Sequence, residues 1–334
     1  MLRPLISRTI RPLHKRAFSQ SSCRQANYAF IGLGQMGFPM ARNLQRKLGL
    51  LDGLRVFDVN KSAVSRFLEG VHADGASTYA ASSALSAAED ADYILTVLPE
   101  PEHVVSVYDS IFTPALHARP RTFIDCSTID PQTSLALSAR AHSFPQTVFL
   151  DAPMSGGVVG AGAGTLTFML GASAAQAPQV AGVLGTMGAR VVPCGGPATG
   201  LVAKLANNYV LALTNVAVAE AMNLGLRWGM DARVLADVMV ASTGRCWAVE
   251  VNNPVAGVVE GAPAERDYMG GFGTRLMSKD LRLARVAAEE KGARLELAEK
   301  ASEVYEKTLA DEKCKGRDFS VVYRWLGGKE PGSE

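Results

Sequence analysis

The chain has 334 residues, of which 48% are hydrophobic and 20% charged. This length allows two domains with sizeable cores, and the composition excludes disordered, collagen-like and low-complexity classes. Basic residues number 34 against 32 acidic, a net +2 that gives no case for a nucleic-acid partner.

What basic excess there is lies at the start. Arg3, Arg8, Arg11, Lys15, Arg16 and Arg24 precede the first acid, Asp52; removing those six from the 34 leaves 28 bases against 32 acids. Spaced apolar residues from Leu2 to Leu13 and the end Ser19-Gln-Ser-Ser22 complete a transit-peptide composition, with no continuous apolar segment of the secretory kind. Residues 1–25 therefore read as a mitochondrial transit peptide, which predicts a matrix protein; the alternative is a plain basic tail.

Tyr28-Ala-Phe-Ile31 is a short apolar strand. It runs into Gly32-Leu33-Gly34-Gln35-Met36-Gly37 and then the helical stretch Met40 to Leu48. Strand, G-x-G-x-x-G and helix in this order form a dinucleotide fingerprint, with the pyrophosphate expected at the helix N-terminus. A second strand, Leu54-Arg-Val-Phe57, ends in Asp58, about twenty residues past the last glycine. An acid there binds the adenine ribose hydroxyls and repels a 2′-phosphate, so NAD is favoured over NADP; Lys61 is the contrary feature. The other reading of Asp58 is a strand-end or helix-capping acid.

Further strands follow at 92–99, 121–128 and 147–151, alternating with helical stretches, which implies a parallel sheet with helices on both faces. Ligands bind beyond the C-terminal strand ends, which brings Leu98, Pro99 and Thr128 beside the cofactor. Packing would equally explain the first two, and an N-cap for the helix entering at Pro131 the third. The run Asp151 to Leu166 is glycine-rich. Ser155, Gly156 and Gly157 offer a hydroxyl and backbone N–H groups to a small carboxylate, or else form a flexible loop.

A long apolar stretch from Pro197 to Trp228 reads as one helix, and it carries Lys204 and Asn208 on one face. Burying a lysine is costly unless it is paired or used. All five histidines lie in the first half (His14, His72, His103, His117, His142), so Lys204 is the leading proton acceptor in the second half. A snorkelling lysine at a helix start is the alternative. The polar residues of this stretch argue against a membrane span. Its apolar surface exceeds what one small domain buries, which predicts a homodimer or homotetramer. Five scattered cysteines (Cys23, Cys126, Cys194, Cys246, Cys314) form no C-x-x-C pair, and no metal site is expected.

Four ordered motifs resemble those of the β-hydroxyacid dehydrogenase family: Gly32 to Leu44, Asp151 to Leu166, Gly200 to Asn208, and Phe272 through Lys279-Asp280-Leu281. The likeness covers about residues 27–328. Ser242-Thr-Gly-Arg-Cys-Trp247, Asn253-Pro-Val-Ala-Gly257 and Gly270-Gly-Phe-Gly273 resemble the members acting on 3-hydroxyisobutyrate more than the glyoxylate or tartronate semialdehyde reductases. Two positions depart from the pattern: His103 stands where an Asn is usual, and Ala256 where a second proline is common.

The resemblance implies an α/β fold: a Rossmann-type doubly wound sheet (26–196) followed by an all-α domain (197–330), joined through a long interdomain helix. It implies NAD as cofactor and a hydroxy acid as small-molecule substrate. In it Lys204 is the base with Asn208 beside it, Ser155, Gly156 and Gly157 hold the substrate carboxylate, and Phe272 and Asp280 close the pocket. Lys279 and the residue at His103 face the cofactor. The activity implied is oxidation of 3-hydroxyisobutyrate to methylmalonate semialdehyde, in valine breakdown. The other readings are an NADPH-dependent semialdehyde reductase on the same scaffold and a non-catalytic NAD-binding scaffold.

Overall fold

The computed structural model describes residues 25–113, 116 and 119–330; the transit-peptide reading of 1–25 falls almost wholly outside them. In chain order the first half contains β1 (Asn27–Ile31), α1 (Gly37–Lys47), β2 (Gly53–Phe57), α2 (Lys61–Glu69), β3 (Ser77–Ala80), α3 (Ala84–Ala88), β4 (Tyr93–Thr96), α4 (Pro101–Ile111), β5 (Arg121–Asp125), α5 (Pro131–His142) and β6 (Thr147–Asp151). These six strands form one parallel sheet in the order β3-β2-β1-β4-β5-β6, the doubly wound arrangement. Successive residues of each strand point to opposite faces. Phe30, Leu54, Val56 and Leu95 feed one core; Ala29, Ile31, Ile94 and Phe123 feed the other.

The strand ends are in register. Phe57 pairs with Ile31, Ile31 with Thr96, Thr96 with Asp125, and Asp125 with Asp151. The last three of that row are buried polar side chains directly under the loops at the C-terminal edge.

A second, three-stranded sheet follows: β7 (Met154–Ser155), β8 (Leu166–Leu170) and β9 (Gly188–Pro193), with α6 (Gly157–Ala163) and α7 (Pro178–Gly185) between them. The glycine-rich stretch is therefore not a loop throughout. Its helix has poor propensity, and an outside side chain offsets this: Asn43 Nδ2 donates to the carbonyls of Ala161 (2.7 Å) and Gly162 (3.1 Å) at its C-terminal end.

The remainder is helical: α8 (Thr199–Arg227), α9 (Ala232–Ala241), α10 (Trp247–Glu250), α11 (Thr274–Glu290), α12 (Ala298–Ala310) and α13 (Val322–Trp325). By length and composition α8 could cross a membrane. Here one face of it is buried, including Lys204, Asn208 and Asn215, against α11, α12 and the sheet. Asn215 is part of the packing. Its Nδ2 donates to Tyr305 Oη and to the Phe319 carbonyl, both at 3.0 Å. Asn215→Ala removes both of these buried hydrogen bonds and should cost about 2 kcal/mol in urea unfolding.

Candidate active site

The fingerprint loop turns tightly between β1 and α1. Gly32 takes φ +102°, and a Cβ there would overlap the Val97 carbonyl oxygen, so only glycine fits. Leu33 is buried, its N–H donating to Asp58 Oδ2 at 2.6 Å, while the Asn60 N–H donates to Oδ1 at 2.7 Å. Gly34 and Gln35 are exposed, Met36 and Gly37 lead into α1, and the first turn of α1 holds no acid. A narrow glycine cradle ending at a helix N-terminus fits a dinucleotide pyrophosphate. The capping alternative for Asp58 does not hold, because Asn60 is the residue that caps α2, accepting from Ser62 and Ala63.

The pairing of β4 stops at Thr96, short of the expected strand end at 99. Beyond it the Leu98 N–H donates to Ser127 Oγ at 2.9 Å, and the Ser127 N–H to Asp125 Oδ1 at 3.1 Å. Thr96 Oγ1 donates to the same oxygen at 2.7 Å. Asp125 is thus the buried anchor of both strand-end loops, and burial pushes its carboxyl up to about 6. Reading along the chain missed Asp125 and Ser127, although an acid closing an apolar strand is a signal. Thr128 is not the cap of α5; Asp130 is, accepting from the Thr133 N–H at 2.8 Å. Pro99 is exposed and Thr128 half-buried. His103 lies exposed in the first turn of α4, and its ring makes no hydrogen bond or ion pair among the described residues.

Lys204 lies in the second turn of α8 and is 8% exposed. Burial pulls its pKa below the lysine norm; the nearby Asp280 opposes this and Lys279 reinforces it. Asp280, on α11, accepts from Asn208 Nδ2 at 2.6 Å and lies 3.5 Å from Lys279 Nζ. Asn207 Nδ2 donates to Asn208 Oδ1 at 3.1 Å. Lys279 Nζ reaches across to the carbonyls of Thr128 (2.8 Å) and Pro99 (3.1 Å). One polar cluster therefore joins α8, α11 and the ends of β4 and β5. Glu100, beside it, faces Arg275 at 3.7 Å and Arg282 at 3.9 Å, a contact with no sequence signal.

Phe272 stands two residues before α11. It packs edge-on against Phe319 at 6.0 Å, and its N–H donates to Asp318 Oδ2 at 2.7 Å. Ser155 ends β7, opposite Thr167 of β8. Gly156 (φ +134°) and Gly157 (φ +62°) are exposed at the start of α6. Chemically, the arrangement offers a buried amine whose pKa is lowered, one helical turn from an amide, with a dinucleotide cradle on the same edge of the sheet.

Residues 27–196 match the NAD-binding domain of 6-phosphogluconate dehydrogenase, and residues 198–326 match the NAD-binding region of NADP-dependent 3-hydroxyisobutyrate dehydrogenase. The mitochondrial 3-hydroxyisobutyrate dehydrogenase of Drosophila melanogaster is 42% identical over 323 residues, covering 95% of this chain and 96% of the fly protein. An NAD-dependent L-serine dehydrogenase of Pseudomonas aeruginosa is 43% identical over 297 residues, covering 89% and 96%. The solved 3-hydroxyisobutyrate dehydrogenase of Mycobacterium tuberculosis with L-serine superposes with a TM-score of 0.80 at 39% identity, covering 91% of this chain and 99% of the other. The chain belongs to the β-hydroxyacid dehydrogenase family, as an NAD-binding oxidoreductase of the 3-hydroxyisobutyrate dehydrogenase type.

Proposed function

We propose that the protein oxidises 3-hydroxyisobutyrate to methylmalonate semialdehyde, with NAD as acceptor and Lys204 as general base. The observation that carries this is a buried lysine of lowered pKa one turn from Asn208. A lysine must be neutral to accept a proton, and its burial supplies the neutral form at a lower pH than an exposed lysine reaches. NAD, when bound, would supply the hydride acceptor for the carbon that bears the hydroxyl. Lys204 Nζ takes the hydroxyl proton. Asn208, held by Asp280, orients the amine and the hydroxyl. Ser155, Gly156 and Gly157 bind the carboxylate, and Phe272 covers the pocket.

For the cofactor, Gly32 to Gly37 hold the pyrophosphate, and Asp58 selects NAD over NADP. Leu98, Pro99, Thr128 and Lys279 border the nicotinamide side, where His103 is the outermost residue. The two units are residues 26–196 and 197–330. The mitochondrial name of the fly relative supports a mitochondrial location, the composition of residues 1–25 points to the matrix, and the family resemblance points to a place in valine breakdown. A homodimer or homotetramer is supported by the exposed apolar residues of α8 and its C-terminal end, Val202, Val210, Leu224 and Trp228 among them.

A second reading is favoured by the two relatives connected with L-serine. L-Serine shares a primary 3-hydroxyl and a carboxylate with 3-hydroxyisobutyrate and differs in the group at C2. Initial rates with both alcohols, and with glyoxylate and tartronate semialdehyde in reverse, each with NAD(H) and NADP(H), separate the readings. The highest kcat/KM is expected for 3-hydroxyisobutyrate with NAD. A higher value for L-serine reassigns the substrate; preference for a semialdehyde with NADPH makes the protein a reductase; NAD binding without turnover makes it a scaffold. In the oxidative direction kcat should rise with pH and level off below the ordinary lysine value of 10.5.

A further inference from the structure

Asp151 closes β6 and is 1% exposed. A buried carboxylate is tolerated only where its oxygens are bonded. Both are: the Ala198 N–H donates to Oδ1 at 2.8 Å and the Leu201 N–H to Oδ2 at 2.9 Å. Ala198 immediately precedes α8, and Leu201 lies in its first turn. α8 has no capping side chain of its own. Ala198 sits there with a left-handed φ of +64°, a conformation unfavourable for a residue with a Cβ. Asp151 therefore caps α8 from the sheet, and its charge suits the positive end of the helix.

The seat is tight. A Cβ on Gly171 would overlap the Asp151 carboxylate, and one on Gly200 would overlap the Met169 carbonyl oxygen and crowd Asp151 Oδ2. Helix and strand approach closely enough that the carboxylate fixes their relative position. Asp151 also begins the segment that leads, through Ala152, Pro153 and Met154, to Ser155, Gly156 and Gly157. One residue thus joins the start of the helix bearing Lys204 and Asn208 to the segment bearing the carboxylate-binding groups.

We infer that Asp151 is a positioning residue: it sets the placement of Lys204 against Ser155–Gly157 without touching substrate. The inference rests on the reading of Lys204 as the base. A displacement of about 1 Å at a reacting group costs about 100-fold in rate.

Asp151→Asn tests it. Asparagine keeps the size but turns one oxygen into an N–H donor, which faces a backbone N–H and cannot hold it. Three measurements are made: kcat, the Kd of the NAD binary complex, and amide hydrogen exchange over residues 198–204. The expected result is a fall in kcat of about 100-fold, faster exchange, and an unchanged Kd, because Gly32 and Asp58 lie just past β1 and β2, which β4 and β5 separate from β6. Asp52→Asn is the control. Asp52 accepts from the Ala26 and Gly49 N–H groups, both at 2.9 Å, at the opposite edge of the sheet. Its loss should lower the Tm and leave kcat alone. Gly200→Ala keeps the carboxylate but forces the start of α8 away from it, and should reproduce the fall in kcat.

Unaltered exchange and kcat in Asp151→Asn overturn the positioning role. Faster exchange with unaltered kcat overturns the reading of Lys204 beneath it. An equal loss of kcat in Asp52→Asn, or failure of both α8-directed variants to accumulate as folded protein, makes Asp151 purely structural and overturns the inference as well.

Discussion

Lys204→Ala should lower kcat for alcohol oxidation by at least about 10³-fold while leaving NAD affinity unchanged. The affinity is spared because the cradle at Gly32 and the acid at Asp58 lie on other elements. The rate falls because the neighbouring groups of the cluster are committed to one another. The other amine in the cluster, on Lys279, is committed to the Thr128 and Pro99 carbonyls and to Asp280. Asn208 has no titratable group, and its Nδ2 is held by Asp280. Stopped-flow or steady-state rates at saturating NAD measure the effect; turnover within tenfold of wild type would remove Lys204 from its role.

The same residue has an opposite effect on stability. Its charged form is disfavoured by burial, so Lys204→Met, which fills the site with an apolar chain of similar length, should stabilise the fold by about 1–2 kcal/mol near neutral pH. The sign follows from proton counts. A lysine whose folded pKa is lowered binds fewer protons in the folded state than in the unfolded state between that pKa and the ordinary 10.5. Stability of the wild type therefore rises with pH across that window, and its deficit against Lys204→Met is full below the folded pKa and vanishes above 10.5. Thermal unfolding of both proteins from pH 7 upward tests this, and parallel curves would show that Lys204 folds without a penalty.

Sequence and structure agree where one residue type has one use. Apolar runs closed by Gly32 and by Asp58 read as strands, and a parallel sheet with helices on both faces followed from their alternation with helices; the strand order comes from the structure. The reading was less complete where the physics is non-local. β3 (Ser-Thr-Tyr-Ala) is an edge strand with little burial, so it lacks the apolar pattern that marks the others. α6 depends on Asn43, which is 118 residues from Ala161. Asp280 was legible only as a member of a motif. Its bond to Asn208 spans 72 residues, and no spacing rule on either helix predicts it. The alternative reading of Thr128 as a cap arose because Pro131 follows, yet Asp130 is nearer the helix start and carries a better acceptor.

Asp58→Asn should shift the ratio of kcat/KM values toward NADP by about 100-fold, chiefly by relieving the clash of two negative charges. Asparagine is the informative replacement, because it retains an oxygen for the Leu33 N–H, which Asp58 Oδ2 accepts at 2.6 Å. The Leu33 amide then keeps its partner, while the charge and the Asn60 N–H bond to the other oxygen are lost. Lys61, exposed at the start of α2, is three residues along and becomes available to a 2′-phosphate. Asp58→Ala removes charge and acceptor together. The buried Leu33 amide then loses its partner at a cost of about 1–3 kcal/mol, so affinity for both cofactors should fall, with the ratio shifted as in Asp58→Asn. The two variants separate discrimination from loop support: the ratio reports the charge, and the common loss reports the hydrogen bond. A ratio that stays at the wild-type value in Asp58→Asn would assign Asp58 to holding the loop alone and leave cofactor choice to other residues.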